Sequence, residues 1–378
     1  MSAAEGNPWA SPMRQFPLAW IMLFFAADER LAKAPPMSPR PSRRRAPSLL
    51  LTFAVGFALA ACNGGPGETD TSDSDTMDEA EWEESLRIDS STGALLAAWG
   101  YPTGVVFAVG GNPDSGKIYR YSGDTWIEEV TGAPVPLLNW VDGSGNDVWV
   151  VGNEGVTLRR VQDGWTNIES PTDQPLWGVW GASSGEAWAV GGDPLTDDPA
   201  VMLRFDGVAW EDVALPTVDR PYGALFKVWG TGPDNVYAVG ESGVVLHYDG
   251  ASWAQESSGT TKDLISLWGT GPDEILAVGG RGIATLLRYD GASWTESLVG
   301  TEPGLNGVWM DSDGYAYVCG QGGKVGVIEP GGDTYTGERV SDLVLHGSFG
   351  FDGGAYFAVG GSLDRNAPWE GVAMVRAN

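Results

Sequence analysis

Residues 228–240 read VWGTGPDNVYAVG. A glycine-rich turn after an apolar strand has two distinct uses. It can cradle a phosphate with backbone N–H groups, in which case a helix follows and its N-terminus completes the anion site. It can also turn one strand back into the next. The residues after Asp234 are Asn-Val-Tyr-Ala-Val-Gly, rich in aromatic and branched side chains that suit a strand. Gly-Thr-Gly-Pro-Asp recurs intact at Gly269 to Asp273 and degraded as Asp142-Gly143-Ser144-Gly145-Asn146-Asp147, and a strand pattern follows each time. The stretch is therefore a hairpin corner, with Pro233 and Asp234 fixing the bend.

The Val-Gly that ends this stretch recurs. Its glycines are Gly110, Gly152, Gly191, Gly240, Gly279, Gly320 and Gly360, about 40 residues apart. An upstream aromatic keeps step as Trp99, Trp140, Trp180, Trp229, Trp268, Trp309 and Phe349. The fourth unit supplies four short strands, LFKVWG, NVYAVG, VVLHYDG and ASWAQES, here lettered A to D. The fifth repeats them as LISLWG, EILAVG, TLLRYDG and ASWTES. Such units predict an all-β, seven-bladed β-propeller over residues 80–378. One longer interval carries an insertion at residues 192–200. The last unit stops at strand C, while Glu81 to Leu86 matches the strand D of Ser293 to Leu298. A strand at about 82–86 is thus expected beside Val372 to Arg376, closing the ring and covering an open edge.

Composition agrees and excludes several functions. The chain holds 55 Gly and 18 Trp with only 19% charged residues, a mixture for short strands and turns rather than helices. A net charge of −28 fits a solvated surface and argues against nucleic acid, whose phosphates need a basic face. Two cysteines, Cys62 and Cys319, are too few for a disulfide framework. Two distant histidines, His247 and His346, do not make a metal cluster. No Ser-His-Asp, Cys-His, paired-carboxylate or metal-ligand spacing emerges. No catalytic residue, metal or cofactor is assigned.

The N-terminus reads as an address. Residues 43–62 are RRRAPSLLLTFAVGFALAAC: a basic segment, an apolar run too short to span a bilayer, and small residues before a cysteine. Leu59-Ala60-Ala61-Cys62 resembles the lipobox of bacterial lipoproteins. The resemblance implies cleavage before Cys62, acylation there and stable anchoring by several acyl chains. Asn63 is implied to favour the outer membrane. Residues 1–61 are then leader and signal peptide, with Met37 a natural start. The acidic stretch over residues 62–79, with almost no apolar residues, is expected to be a disordered tether.

Asp-Gly-Ala-Ser-Trp recurs as Asp249 to Trp253 and Asp290 to Trp294, with variants at Asp206 to Trp210, Ser122 to Trp126 and Asp163 to Trp165. It resembles the Asp-box of sialidase-type propeller repeats, although Arg or His replaces the upstream serine in several copies. The resemblance implies a structural C–D hairpin with its tryptophan between blades, and no activity. The whole mature chain resembles the propeller lipoproteins of myxobacteria, which implies architecture more than activity.

Other positions invite a function beside a structural role. Strand A lines a propeller's axis, and two residues before each marker aromatic stand Ala97, Leu138, Gly178, Lys227, Ser266, Gly307 and Gly347. Lys227 could contact an anionic axial ligand or snorkel to solvent. Arg120, Arg160, Arg204, His247, Arg288 and Arg376 precede the strand-C turn, and Glu84, Glu128, Asn167, Asp212, Gln255 and Glu296 follow the strand-D tryptophan by two residues. They read as cross-strand partners. Asp147, Glu186, Asp234 and Asp273 sit in A–B turns, as turn formers or a cation-binding rim. Cys319 replaces a core valine and is expected to be buried and inert. The sequence predicts a lipid-anchored, monomeric binding or scaffolding module for a protein or glycan. The alternative is a glycan- or cell-wall-directed enzyme with its site at the central mouth.

Overall fold

The computed structural model describes residues 81–183, 185–297, 300–363 and 368–377. The signal segment, Cys62 with Leu59, Ala60 and Ala61, Met37 and the acidic tether lie outside them.

The described chain forms seven four-stranded antiparallel sheets. An N-terminal strand, β1 (Trp82–Ile88), comes first. Blade 1 is β2 (Ala94–Gly100), β3 (Val106–Asn112), β4 (Ser115–Tyr121) and β5 (Trp126–Glu129). Blade 2 is β6 (Leu138–Ser144), β7 (Asp147–Gly152), β8 (Thr157–Val161) and β9 (Gly164–Asn167). Blade 3 is β10 (Leu176–Ser183), β11 (Glu186–Gly191), β12 (Val201–Phe205) and β13 (Trp210–Asp212). Blade 4 is β14 (Leu225–Gly232), β15 (Asn235–Gly240), β16 (Val245–Tyr248) and β17 (Trp253–Glu256). Blade 5 is β18 (Leu264–Gly271), β19 (Glu274–Gly279), β20 (Thr285–Tyr289) and β21 (Trp294–Ser297). Blade 6 is β22 (Leu305–Met310), β23 (Ala316–Gly320), β24 (Lys324–Ile328) and a two-residue β25 (Glu338–Arg339). Blade 7 is β26 (Leu345–Gly350), β27 (Tyr356–Ser362) and β28 (Glu370–Arg376), and β1 completes it.

The closure is as expected, and the strand runs on to Ile88. Trp82 pairs with Arg376 and Ile88 with Gly371, with a bulge between Glu84 and Leu86. The Gly-Thr-Gly-Pro-Asp corner is also as read. Gly232 pairs with Asn235, so Pro233 and Asp234 are the whole link, and a bulge between Gly230 and Gly232 absorbs the extra residue.

Two aromatic series hold the blades together. The inner one explains the glycine that follows Trp99, Trp180, Trp229, Trp268 and Phe349. A Cβ on Gly230 would fall 2.9 Å from Trp180, and one on Gly269 would fall 2.8 Å from Trp229, so each glycine makes room for the indole of the preceding blade. The outer series is built by the strand-D tryptophans. Trp165 packs on Phe107, Trp210 on Trp149, Trp253 on Trp188 and Trp294 on Tyr237, with ring centroids 5.7, 5.3, 5.2 and 6.0 Å apart. Each pair joins a strand D to strand B of the preceding blade. Their indole N–H groups extend the pattern: Trp165 donates to Glu129 at 2.7 Å, Trp210 to Thr157 at 2.9 Å and Trp294 to Glu256 at 2.7 Å. Trp126 donates to Ser85 at 3.2 Å, which marks β1 as a working strand D. Aromatic area and charge-assisted bonds therefore coincide at the seams.

Blade 2 departs from the expected alignment. Trp99, Trp180, Trp229, Trp268, Trp309 and Phe349 each pair with the second residue of their strand-B core. In blade 2 the residue so paired is Asp142, opposite Trp149, whereas Trp140 pairs with Val151. The marker aromatic of blade 2 is thus not Trp140, and Leu138 is not its axial residue. Trp140 is one residue farther from its Val-Gly glycine than the other marker aromatics are from theirs. The β6–β7 hairpin also lacks the corner bulge of β14–β15 and β18–β19. A shift of this kind moves side chains between faces.

Candidate functional site

The true axial ring is Ala97, Trp140, Gly178, Lys227, Ser266, Gly307 and Gly347. Five small members leave room, and blades 2 and 4 fill it. Lys227 is 2% exposed and does not snorkel to solvent; its ammonium lies 2.9 Å from the Trp140 ring centroid. Gly178, on the blade between them, carries no side chain to block the path, and a Cβ there would fall 3.0 Å from the Lys227 Cα. The indole face receives the cation, an attraction that desolvation strengthens.

Asp142 occupies the place of an interblade aromatic. Gly181, which elsewhere in the pattern would receive an indole, instead donates its N–H to the Asp142 carboxylate at 2.9 Å. Burial pushes the Asp142 carboxyl up, and the charge of Lys227 works against that shift. Burial pushes the Lys227 ammonium down, and Asp142 opposes this in turn. Each group thus offsets part of the other's desolvation in a dry axis. Sequence reasoning isolated Lys227 but missed both partners.

The Asp residues of the recurring C–D turns are as the hairpin reading requires. Asp206 accepts from the N–H of Val208 and Ala209, Asp249 from Ala251 and Ser252, and Asp290 from Ala292 and Ser293, all at 2.8–2.9 Å. These bonds hold all three carboxyls below the usual range. Trp210, Trp253 and Trp294 then follow as seam tryptophans.

Five of the six strand-C bases, all but Arg376, have acidic partners among the described residues, but not the expected ones. Arg120 bonds Glu129 at 2.7 Å rather than Glu128, and His247 meets Glu256 at 3.0 Å rather than Gln255. Side chains alternate along a strand, so the acid three residues after the tryptophan, not two, shares the face. Glu128 lies on the other face with Lys117, at 2.6 Å. A–B turn acids supply the remaining partners: Asp147 for Arg159 at 2.8 Å, Glu186 for Arg204 at 3.3 Å and Glu274 for Arg288 at 3.1 Å. In blade 2 the residue over the strand-B aromatic is Arg159, 5.1 Å above Trp149, in place of the expected Arg160. Arg376 is likewise out of the series, since it pairs with Tyr356 and leaves Val375 opposite Phe357. Cys319 is fully buried, and burial pushes its thiol up to about 12.

Two grooves open on the outer surface. One, of about 600 Å³, lies along blades 3 and 4, where loop groups pair internally: Asp219 N–H with Gln255, and Gly223 N–H with Glu241. The other, of about 630 Å³, lies at the seam of blades 6 and 7. There β25 pairs only Glu338 with Val325 and Arg339 with Lys324, so the ladder stops and residues 326–328 of β24 have no outer strand among the described residues. In blade 5 the same positions are paired as far as Tyr289 with Trp294. Blade 6 has Tyr335 in place of a strand-D tryptophan. Its ring covers Gly326 and packs with the cluster of Leu276, Val318 and Ile328 that joins blades 5 and 6.

No protein-family model matches the chain, and no curated protein matches it. Solved structures match in fold. YCF48 from Cyanidioschyzon merolae is 16% identical with a TM-score of 0.59, over 79% of this chain and 99% of that one. The WD40 β-propeller domain of Doa1 is 8% identical with a TM-score of 0.60, over 78% and 96%. YCF48 bound to D1 peptide is 16% identical with a TM-score of 0.57, over 80% and 96%. The chain is a β-propeller, a fold that commonly serves protein binding or scaffolding.

Proposed function

We propose that this protein is a lipid-anchored envelope protein whose propeller binds a polypeptide partner on its outer surface. The carrying observation is the contrast between axis and seam. Trp140 and Lys227 fill the axis, while the blade 6–7 groove offers about 630 Å³ beside a strand whose outer edge is only partly paired. This supports a binding module over an enzyme at the central mouth. The likeness to YCF48, whose structure is also known with D1 peptide, supports a polypeptide over a glycan. Leu59-Ala60-Ala61-Cys62 supports acylation at Cys62, and Asn63 supports the outer membrane. The propeller itself acts as a monomer.

Affinity capture with the full chain from detergent-solubilised envelope, identifying proteins and glycans together, tests the reading. A protein enriched above an unrelated acidic control is expected. Enrichment of glycan alone, or of nothing, overturns it. Metabolic labelling with palmitate tests the anchor: label is expected on the wild type and absent from Cys62→Ser, and an unlabelled wild type refutes acylation.

A further inference from the structure

The blade 6–7 groove has a definite chemistry. Residues 326–328 present a main-chain edge that β25 leaves open. Edges of this kind are templates for an added strand unless they are covered or charged against it. Val327 faces outward at 38% exposure, and Trp82 lines the far wall. Glu329, Asp333 and Glu338 stand exposed along the groove, and no cation of this chain pairs with them among the described residues. Deeper, Arg376 keeps a buried Nε with no hydrogen-bond acceptor among the described residues. Arg160 and Arg204 also keep such an Nε, but Arg120, Arg160, Arg204 and Arg288 all have carboxylate partners and Arg376 has none among the described residues.

We infer that the groove takes an extended peptide carrying lysine or arginine side chains, added as a fifth strand of blade 6 along β24. This specification rests on the polypeptide-binding reading above. Main-chain bonds to the open edge supply affinity, and alternate side chains supply selectivity. The basic side chains meet Glu329, Asp333 and Glu338. The Arg376 guanidinium, which lines the groove without a carboxylate partner, donates to a main-chain carbonyl of the peptide. An acidic peptide would face three unpaired carboxylates and is disfavoured.

The test uses the full chain and three labelled eight-residue peptides followed by fluorescence anisotropy. One alternates valine and lysine, the second alternates valine and glutamate, and the third is the lysine peptide methylated on alternate backbone nitrogens. The lysine peptide is expected to bind at least tenfold tighter than either of the others. The variant Glu329→Lys/Asp333→Lys/Glu338→Lys changes only exposed side chains and stays strongly acidic overall, so it separates the groove from general charge attraction. It is expected to weaken the lysine peptide at least tenfold and to bind the glutamate peptide better. Hydrogen exchange is expected to show those amides of residues 326–328 that point away from β23 protected by the lysine peptide. Equal binding of lysine and methylated peptides, unchanged affinity in the triple variant, or unprotected amides overturns the inference. If the triple variant still captures the wild type's protein partner, this inference fails while the broader reading stands. If neither captures a protein, the broader reading fails.

Discussion

Lys227→Met keeps the length and apolar contact of the side chain over Trp140 but removes the charge that faces Asp142. Asp142 is 5% exposed and, beyond the axis lysine, has backbone donors for support. Without the lysine it must stay ionised in a dry site or take up a proton. Protonation at pH 7, from an ordinary value of 3.8, costs about 4 kcal/mol at 1.36 kcal/mol per unit. Asp142→Asn is the mirror case. Lys227 must then lose its proton from an ordinary value of 10.5, at about 5 kcal/mol. These are ceilings, and both agree with the roughly 3–5 kcal/mol expected when one member of a buried pair is removed. The double variant Asp142→Asn/Lys227→Met leaves no stranded charge and is expected within about 1 kcal/mol of wild type.

The two single variants have opposite pH signatures. In Lys227→Met the folded Asp142 binds its proton above 3.8 while the unfolded one does not, so stability falls as pH rises and the defect nearly disappears at pH 4. In Asp142→Asn the unfolded lysine binds the proton more tightly than the folded one. Stability then rises with pH, and the defect fades toward pH 10. Urea unfolding of the four proteins at pH 4, 7 and 9.5 measures both effects. Additive single losses, or losses that do not change with pH, would refute the reasoning.

Removing residues 82–88 deletes the whole ladder from Trp82↔Arg376 to Ile88↔Gly371 and the Ser85 acceptor of Trp126. The melting temperature is expected to fall by about 10 °C or more. An unchanged thermal transition contradicts the closure. Trp294→Phe loses a 2.7 Å donor to Glu256 and is expected to cost about 1.5–3 kcal/mol. Trp253→Phe removes an indole N–H that has no acceptor among the described residues, so its cost should stay under about 1 kcal/mol. Equal urea midpoints for the two variants would dismiss the seam hydrogen bonds as a source of stability.

The ring was legible because its evidence is repetition. Gly110, Gly152 and their successors fall at or near the end of strand B whatever each blade packs against. The recurring C–D turns were legible for a local reason: Asp249 and Asp290 bond amides two and three residues ahead. Partners across strands were harder. Glu129 and Glu256, not Glu128 and Gln255, meet the strand-C bases because side chains alternate along strand D, which puts the third residue after the tryptophan on the base's face and the second on the other. The exchange of Trp140 and Asp142 had a trace in the sequence, namely one extra residue before Gly152. Its meaning appears only once β6 and β7 are paired. The open edge at residues 326–328 was harder still. Residues 329–340 look long enough for a strand D, and only the geometry shows that pairing ends after Glu338 and Arg339.

The Trp140–Asp142 exchange also bears on how a ring of near-copies finds its order. Blades 4 and 5 share Gly-Thr-Gly-Pro-Asp corners and Asp-Gly-Ala-Ser-Trp turns, so either could dock against the other's neighbour with many contacts preserved. Lys227 breaks that degeneracy. Its charge is compensated only when blade 4 stands one blade removed from blade 2, with Gly178 between them. A chain that skips or swaps a blade strands a buried cation and a buried carboxylate together. The axis therefore works as a counting device, penalising wrong assembly orders that the repeated strands alone would tolerate.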